Sequence, residues 1–269
     1  MQDHRFLGVD VGGTHLKIGL VDREGKMLDF QKEDTTPYRD HPEGFGKCFI
    51  EGLGKYIAKY PEVEKIGIGL PGMISKDRST PLEIPAIPDL NGFALQAGLM
   101  EKYPKHEFFL ENDAAAAAIG EFYYGKGETA ENFLFITMGT GIGSALVLDG
   151  QVFKGSRGNA LEMGHMLSRG NTGLETLIGR NGILRIMENL IAAYPEKAGE
   201  LIGKELGTHL LVDTAKTGNE VSLMVFKEVA EILSEAIVST IRILDVTDVY
   251  FGGGISAGLE FMMPTIEYN

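Results

Sequence analysis

The sequence predicts an α/β protein of two similar lobes, and three observations lead to this fold class. Segments rich in β-branched and apolar residues, typical of strands, alternate with segments of helical periodicity. The order strand, glycine turn, strand, tight turn, strand occurs twice, in "FLGVDVGGTHLKIGLVDREGKMLDF" and in "NFLFITMGTGIGSALVLDGQVFKG". A repeat this long is typical of a duplicated domain. We therefore expect two mixed-sheet domains, residues 1–112 and 113–269, with a cleft between them.

Composition narrows the class of protein. Of the 269 residues, 43% are hydrophobic and 23% are charged, which is ordinary for a globular chain long enough for two cores. The net charge of −13 argues against a nucleic-acid surface, which needs clustered Lys and Arg. The single cysteine, Cys48, forms no internal disulfide and fits a reducing compartment. No signal peptide or long apolar segment is visible, so we expect a cytoplasmic protein without a membrane partner.

The elements of the first lobe follow from the apolar pattern. Residues 23–26, "REGK", predict a hairpin turn between two strands. Phe45, Phe49 and Leu53 recur at helical spacing and predict a helix over 42–60. The Pro-rich segment 74–92 is expected to be a loop. The other predicted elements are a buried strand in "KIGIGLPG", a strand in "HEFFLEND" and a helix in "DAAAAAIGEFYYG".

The second lobe repeats the strands and then adds a long amphipathic helix at about 220–244. Its predicted apolar face consists of Val221, Met224, Val225, Val229, Ile232, Leu233, Ile237 and Ile241. A buried strand, "DVYFGGGIS", is expected to follow this helix.

Glycine-rich turns follow strands in both lobes and are candidates for binding phosphate. In "GVDVGGTHLK" the backbone N–H groups of Gly12, Gly13 and Thr14 can cradle phosphate oxygens, while Asp10 can position Mg²⁺ or its water. Lys17 adds positive charge. A plain hairpin with a glycine turn is the alternative interpretation.

The second lobe carries two more such turns. Gly139, Thr140 and Gly141 lie in "TMGTGIGSALV", and the strand that follows them disfavours a Rossmann motif, which needs a helix there. In "FGGGIS", Gly253 and Gly254 permit a flat ligand such as adenosine to lie on the backbone. A simple strand-to-helix turn is the alternative for this last segment.

Asn112 and Asp113 stand directly before five consecutive alanines in "ENDAAAAAIGE". Asn112 is a good helix cap. Asp113 would then lie in the first turn, where the helix dipole favours negative charge. The pair either caps the helix or is held by the helix at a reaction. The two interpretations combine into one hypothesis, since a helix dipole that favours the ionised carboxylate also favours the form that a general base needs.

Seven stretches together resemble the ROK family of sugar kinases and sugar-responsive repressors, within the actin-like ATPase superfamily. They are in family order and read "GVDVGGTHLKIGLVD", "GIGLPGMI", "LNGF", "ENDAAAAAIGE", "TMGTGIGSALV", "LEMGHM" and "GNTGLETLIG"; together with "FGGGIS" the resemblance spans residues 8 to 256. The resemblance implies the two-lobed actin-like, ribonuclease H-like fold.

The resemblance also implies a glucokinase-like enzyme that uses MgATP to phosphorylate a hydroxyl of a hexose or N-acetylhexosamine, with a homodimer as the family's assembly. Asp113 matches the general base, and Asp10 the residue that holds Mg²⁺ through water. The matching sugar-binding positions are Asn91, Asn112, Asp113, Glu162, His165 and Glu175. The matching ATP-binding positions are Asp10, Gly12, Gly13, Thr14, Lys17, Gly139, Thr140, Gly141, Gly253 and Gly254.

For three of these residues the sequence also allows a structural role. The alternative to sugar binding is a polar pair on a loop for Glu162 and His165, and an acidic residue in the first turn of a helix for Glu175.

The chain departs from the family at its zinc motif. Most members carry a cysteine-rich C-x-C-G-x-x-G-C segment after the histidine, whereas this chain has "HMLSRGNTGLE" there, without cysteine. A structural zinc needs about four Cys or His ligands, which His165 alone cannot supply. We expect no zinc.

Three functions are compatible with the resemblance. The first is a sugar kinase, and the second is a sugar-binding regulator. Repressors of the family carry a helix-turn-helix before the first strand, which begins by residue 6 here, so an enzyme is expected. The third is a degenerate sugar binder, against which Asp10 and Asp113 argue, because sugar binding alone needs no metal site.

Overall fold

The chain divides into two α/β units, as the duplicated pattern predicts. The structure, a computed structural model, describes residues 4–125 and 130–269. The first unit comprises the described residues before position 130 together with Val152–Ala160; the second comprises Ala130–Gln151 and Leu161–Asn269.

The first unit is built on a five-stranded sheet with the order β3-β2-β1-β4-β7. Its strands are β1 (Arg5–Val11), β2 (His15–Asp22), β3 (Met27–Asp34), β4 (Lys65–Leu70) and β7 (Glu107–Asn112), and the hairpin strands β5 (Met73–Ile74) and β6 (Pro81–Glu83) form a separate pair. β1, β4 and β7 are parallel, while β2 and β3 are antiparallel neighbours. The helices are α1 (Thr36–Arg39), α2 (Phe45–Lys59), α3 (Leu95–Lys102) and α4 (Asp113–Tyr124).

The second unit has a four-stranded sheet with the order β10-β9-β8-β11, which repeats the order β3-β2-β1-β4 of the first. Its strands are β8 (Phe133–Met138), β9 (Ile142–Leu148), β10 (Gln151–Val152) and β11 (Asp248–Gly252). β8 is antiparallel to β9 and parallel to β11, as β1 is to β2 and β4. Its helices are α5 (Leu174–Ile178), α6 (Arg180–Ala193), α7 (Pro195–Ala198), α8 (Thr208–Lys216), α9 (Glu220–Leu244) and α10 (Leu259–Tyr268). The predicted duplication is thus a repeat of topology.

Apolar periodicity places the core of each unit. Phe45, Phe49 and Leu53 of α2 are buried against the first sheet, and each such side chain contributes about 1.5–3 kcal/mol on burial. In the second unit the 25-residue α9 is the central element. Asn219 caps it by accepting a hydrogen bond from the Ser222 backbone N–H at 3.0 Å.

Two sequence-based assignments differ from the structure. The segment 74–92, expected to be a loop, contains β6 and a 3₁₀ turn at Pro88–Leu90, because its prolines lie at positions that need no backbone donor. The expected domain boundary lies before Asp113, whereas α4 belongs to the first unit, since it packs against β4 and β7. No helix in residues 4–125 or 130–269 is long and apolar enough to cross a membrane.

One cluster of polar side chains connects the C-terminal end of α2 to the edge strand β3 by hydrogen bonds. The carboxylate of Asp29 accepts a hydrogen bond from the ammonium group of Lys59 at 2.8 Å and another from the hydroxyl of Tyr60. Lys59 first, and then Tyr60 and the backbone N–H of Phe30, hold the pKa of Asp29 well below its ordinary value.

We expect Asp29→Asn to lower stability more at neutral pH than in acid. Because the folded-state pKa is depressed, the full contribution of Asp29 is present above its unfolded pKa of about 3.9 and is lost progressively as pH falls from there toward the lower folded-state pKa. The difference between the urea midpoints of wild type and variant should therefore be larger at about pH 7 than at about pH 3. The exposed Asp213 of α8 supplies the control variant, Asp213→Asn. An equal gap between wild type and Asp29→Asn at both pH values would contradict the assignment.

Candidate active site

The carboxyl ends of β1, β4 and β7 bring two predicted residues to one edge of the first sheet. Asp10, Gly69 and Glu111 are level with one another in the parallel register. A Cβ on Gly69 would lie 3.7 Å from the Cα of Asp113 and 3.8 Å from the carbonyl oxygen of Val9. Asp113 therefore begins its helix at the edge at which β1 ends, one residue after Asp10.

The junction between β7 and α4 confirms the predicted cap. The Oδ1 atom of Asn112 accepts a hydrogen bond from the backbone N–H of Ala115 at 3.0 Å, and its Nδ2 donates to the carbonyl of Gly72 at 3.2 Å. Asp113 is the first residue of α4, is exposed, and accepts from the N–H of Ala114 at 2.8 Å. The positive end of the helix dipole stabilises negative charge there.

Asp10 and Lys17 face each other across the first hairpin. The Nζ atom of Lys17 lies 2.8 Å from Oδ2 of Asp10, with both side chains about half exposed at 50% and 47%. The pair places one carboxylate and one ammonium group at the mouth of the glycine turn. A single half-exposed carboxylate suits a Mg²⁺ ion that keeps most of its ligands as water and phosphate oxygens.

The glycine turn of the first unit is held by a buried threonine. The hydroxyl of Thr35 donates to the carbonyl of Gly12 at 2.9 Å, and its backbone N–H donates to the carbonyl of Thr14 at 2.8 Å. A Cβ on Gly13 would lie 2.9 Å from the Cβ of Ala86, so only glycine fits without displacement. The turn is a fixed hairpin, which is compatible with both interpretations of this segment.

Asn91 lies in the first unit, and its side chain stabilises the loop that contains it. Its Oδ1 atom accepts a hydrogen bond from the backbone N–H of Ile84 at 2.7 Å. The second lone pair of that oxygen and the NH₂ group of the side chain are the groups that could contact a ligand.

The two glycine turns of the second unit lie at one edge of its sheet. A Cβ on Gly253, whose φ is +87°, would lie 2.3 Å from the carbonyl oxygen of Met138, the residue before Gly139. By contrast, a Cβ on Gly139 or on Gly254 would meet no atom within 4 Å. Open space beside backbone at a strand end fits the close approach of a nucleotide.

Glu175 secures the turn formed by residues 139–141. Its Oε2 accepts a hydrogen bond from the backbone N–H of Ile142 at 3.0 Å, and a Cβ on Gly141 would lie 2.1 Å from this oxygen. The backbone N–H of Arg180, at the start of α6, lies 3.2 Å from the carbonyl oxygens of both Gly139 and Thr140. The carboxylate predicted to bind sugar is therefore also a structural part of the predicted phosphate turn.

Ser144 places Glu162 and His165 beside the same turn. Its hydroxyl donates to the carbonyl of Leu161 and accepts from the N–H of Met163 at 3.1 Å. The next residue along, Gly164, is close to Ile142, because a Cβ there would lie 2.4 Å from the carbonyl oxygen of Ile142 and 3.4 Å from the Cβ of Glu175. The second unit thus gathers Glu162, His165 and Glu175 around the turn.

The loop that stands where the family's zinc motif would lie is closed by hydrogen bonds. The N–H of Ser168 donates to the carbonyl of Thr172, and that of Leu174 to the carbonyl of Met166, both at 2.9 Å. Arg169 at its tip pairs with Glu235 of α9. Across residues 4–125 and 130–269, no group of three or more His, Cys, Asp or Glu side chains could hold a metal ion. The donor set of this loop does not fit zinc.

Glu111, Arg78 and Lys154 were missed by the sequence analysis. The Glu111 carboxylate, next to Asn112, lies 3.0 Å from a guanidinium nitrogen of Arg78 and 3.6 Å from the Nζ of Lys154. Glu111 opens the stretch "ENDAAAAAIGE", but nothing in the sequence pairs it with Arg78 or Lys154, which are far away in the chain, so only proximity in the fold identifies the cluster. Ser144 lies within "TMGTGIGSALV", but the sequence did not indicate its contacts with Leu161 and Met163.

Comparisons with known proteins agree with the topology. The family model described as ROK family matches residues 6–268. A glucokinase of Thermotoga maritima is 30% identical over 275 residues, covering 96% of this chain and 84% of the relative. A xylose repressor of Caldicellulosiruptor bescii is 26% identical, covering 93% of this chain and 66% of the repressor. The crystal structure of a ROK family glucokinase from Streptomyces griseus, in complex with glucose and AMPPNP, matches with a TM-score of 0.83 and 26% identity over 98% of this chain and 88% of that chain.

We expect Glu175→Ala to destabilise the second unit. The substitution leaves the N–H of Ile142 without its carboxylate acceptor, at a cost of about 1–3 kcal/mol, whereas Glu175→Gln keeps an oxygen acceptor and should lose less. Chemical denaturation of the ligand-free protein measures the free energy of unfolding of both variants. Wild-type stability in Glu175→Ala would mean that this carboxylate acts on ligands alone.

Proposed function

The chain belongs to the ROK family, and we propose that it is an ATP-dependent sugar kinase. The proposed reaction transfers the γ-phosphoryl group of ATP to a hydroxyl of a hexose or N-acetylhexosamine. The observation that carries the proposal is that Asp10, near the end of β1, and Asp113, directly after β7, lie at the same edge of the first sheet. Phosphoryl transfer needs one group near the phosphates and one at the acceptor hydroxyl, and these two carboxylates suit the two tasks.

Asp113 is the general base of the proposed reaction. Its carboxylate accepts the proton of the sugar hydroxyl as that oxygen bonds to the γ-phosphorus and the bond to ADP breaks. Two features of the junction support this role. The cap made by Asn112 fixes the first turn of α4, and the helix dipole stabilises the anionic carboxylate that a base requires.

The sugar would be held by side chains that offer both donors and acceptors. A polyol that has left water needs a partner for each hydroxyl, and amides, carboxylates and imidazole supply both kinds. The proposed sugar ligands are Asn91, Asn112, Asp113, Glu162, His165 and Glu175. Because Glu175 also bonds the N–H of Ile142, it would connect the sugar to the turn at 139–141.

The nucleotide would be held mainly by backbone. Glycine turns present backbone N–H groups to phosphate oxygens without adding side chains. A chain of net charge −13 needs such neutral donors if it is to bind a polyanion. The proposed residues are Asp10, Gly12, Gly13, Thr14, Lys17, Gly139, Thr140, Gly141, Gly253 and Gly254. Mg²⁺, bound with ATP and reached from Asp10 through water, would neutralise phosphate charge during transfer.

A sugar-binding regulator is the second candidate function. The xylose repressor matches 93% of this chain, so the same fold is also present in a regulator. A regulator needs the sugar site but has no use for a base beside the acceptor hydroxyl. The position of Asp113 therefore favours the enzyme.

Asp113→Asn should abolish turnover while leaving sugar binding nearly intact. Loss of a general base lowers kcat by about 10²- to 10⁴-fold. The amide retains the size of the carboxylate and an oxygen that can accept from the N–H of Ala114. An ADP-coupled assay with MgATP and a panel of hexoses and N-acetylhexosamines measures turnover, and calorimetric titration measures sugar affinity. Asp245→Asn is the matched control, because Asp245 lies in the second unit at the left-handed C-cap of α9, a conformation that asparagine also adopts.

Two outcomes would count against the kinase. Near-wild-type turnover in Asp113→Asn would remove Asp113 as the base. Absence of turnover on every sugar in the wild-type protein, with sugar still raising its thermal midpoint, would favour the regulator.

A further inference from the structure

A buried ion pair in the first unit has no part in the steps above. A guanidinium nitrogen of Arg78 lies 3.0 Å from Oε1 of Glu111, and the two side chains are only 11% and 15% exposed. Taking two charges out of water is costly, so such a pair is favourable only where further hydrogen bonds satisfy both groups. Those further bonds lead to the proposed sugar site on one side and to a distant segment of chain on the other.

Glu111 connects the pair to the β7–α4 junction. The same Oε1 atom accepts a hydrogen bond from the backbone N–H of Asn112 at 2.9 Å. The side chain of Asn112 in turn caps α4 through Ala115 and donates to Gly72. The direction in which the chain enters the first turn of α4, and hence the position of Asp113, therefore depends on this carboxylate.

Arg78 connects the pair to the strap, which we define as Val152–Ala160. A second guanidinium nitrogen donates to the carbonyl of Gly158 at 2.8 Å and reaches the carbonyl of Ile74 at 3.5 Å. The backbone N–H of Ile74 donates to Oδ1 of Asn159 at 2.9 Å. Lys154, also in the strap, lies 3.6 Å from the second oxygen of Glu111. One side chain thus joins the β5–β6 hairpin, the strap and the end of β7.

Arg78 has a backbone conformation that disfavours a long side chain. Its φ is +60°, in the left-handed region, where glycine is favoured and a long side chain is strained. Its Nε atom is buried and has no hydrogen-bond partner among the described residues. Glycine would suit this backbone better, so the arginine is explained by the contacts of its guanidinium group.

We propose that Arg78 is a positioning residue that sets Asn112 and Asp113 through Glu111 and holds the strap through the carbonyl of Gly158. The inference rests on the proposed function for its kinetic consequence. Its structural consequence, the order of the strap and of the β7–α4 junction, stands without that function.

The test uses Arg78→Met, Arg78→Gly and a control. Methionine removes the charge and keeps most of the length, while glycine removes the side chain and relieves the strained backbone. The control is Arg5→Met, because Arg5 also lies 3.0 Å from a carboxylate, that of Glu62, in the same unit but with both side chains more exposed, at 36% and 43%. Hydrogen exchange of peptides covering 111–116 and 152–160 measures the local stability of the β7–α4 junction and of the strap. The KM values for sugar and for ATP measure the effect on the proposed substrate sites.

Both Arg78 variants should exchange faster in both peptides and show a sugar KM raised about tenfold or more, with kcat also lowered because Asp113 is misplaced. The ATP KM should stay at the wild-type value, and Arg5→Met should match wild type throughout. Glu111→Gln should reproduce these effects, and the double variant Arg78→Met/Glu111→Gln should be no worse than the worse single variant, because the pair acts as a unit.

Wild-type exchange in both peptides, or a wild-type sugar KM despite faster exchange, would overturn the proposal. A general loss of folded protein would lower apparent kcat without changing KM, which separates instability from positioning. If Arg78→Met does not fold, Arg78→Gly and Glu111→Gln decide by the same criteria. If the wild-type protein phosphorylates no sugar, the proposed function fails, and the exchange data together with the sugar-induced rise in thermal midpoint still decide the role of Arg78.

Discussion

The parallel register of β1, β4 and β7 is the constraint on which the candidate site of the first unit depends. It sets Asp10, Gly69 and Glu111 level, so that everything that follows these strands emerges at the same edge. α4 begins close against this edge, since a Cβ on Gly69 would be in van der Waals contact with both the Cα of Asp113 and the carbonyl oxygen of Val9. The buried pair of Arg78 and Glu111 then fixes the last residue of β7 in place.

The second unit uses the same strand order to build a different kind of edge. The ends of β8 and β11 carry glycine turns, and the acidic side chains come from outside the sheet, from α5 and from the segment 161–166. The hydrogen bond from Ile142 to Glu175 joins one of these acids to the turn that follows β8. Duplication therefore supplied a common scaffold, while the residues after each strand gave the two edges different chemistry: carboxylates in the first unit and exposed backbone in the second.

The sequence pattern correctly predicted those helices and turns whose formation depends on residues close together in the chain. The helix expected at about 220–244 is α9, Glu220–Leu244, because its apolar stripe and its capping asparagine lie within one stretch of sequence. The hairpin at 23–26 and the cap by Asn112 follow from turn and capping preferences in the same way. The β5–β6 hairpin was missed, since its strands are too short to show an alternating pattern, and the strap was missed because it belongs to the first unit while lying within the sequence of the second.

The sequence by itself determined the α/β class, the duplication, the ROK family and the motif residues Asp10, Asn112 and Asp113, because each is encoded over a short stretch as periodicity, turn chemistry or motif. Tertiary structure alone decided which side chains support those residues. Arg78, Glu111 and Lys154 meet only when three separate segments fold together, and Glu175 reaches Ile142 only when α5 packs beside β9. The physical reason is that buried charges must find partners wherever the chain brings them, and spacing along the sequence does not record those pairings.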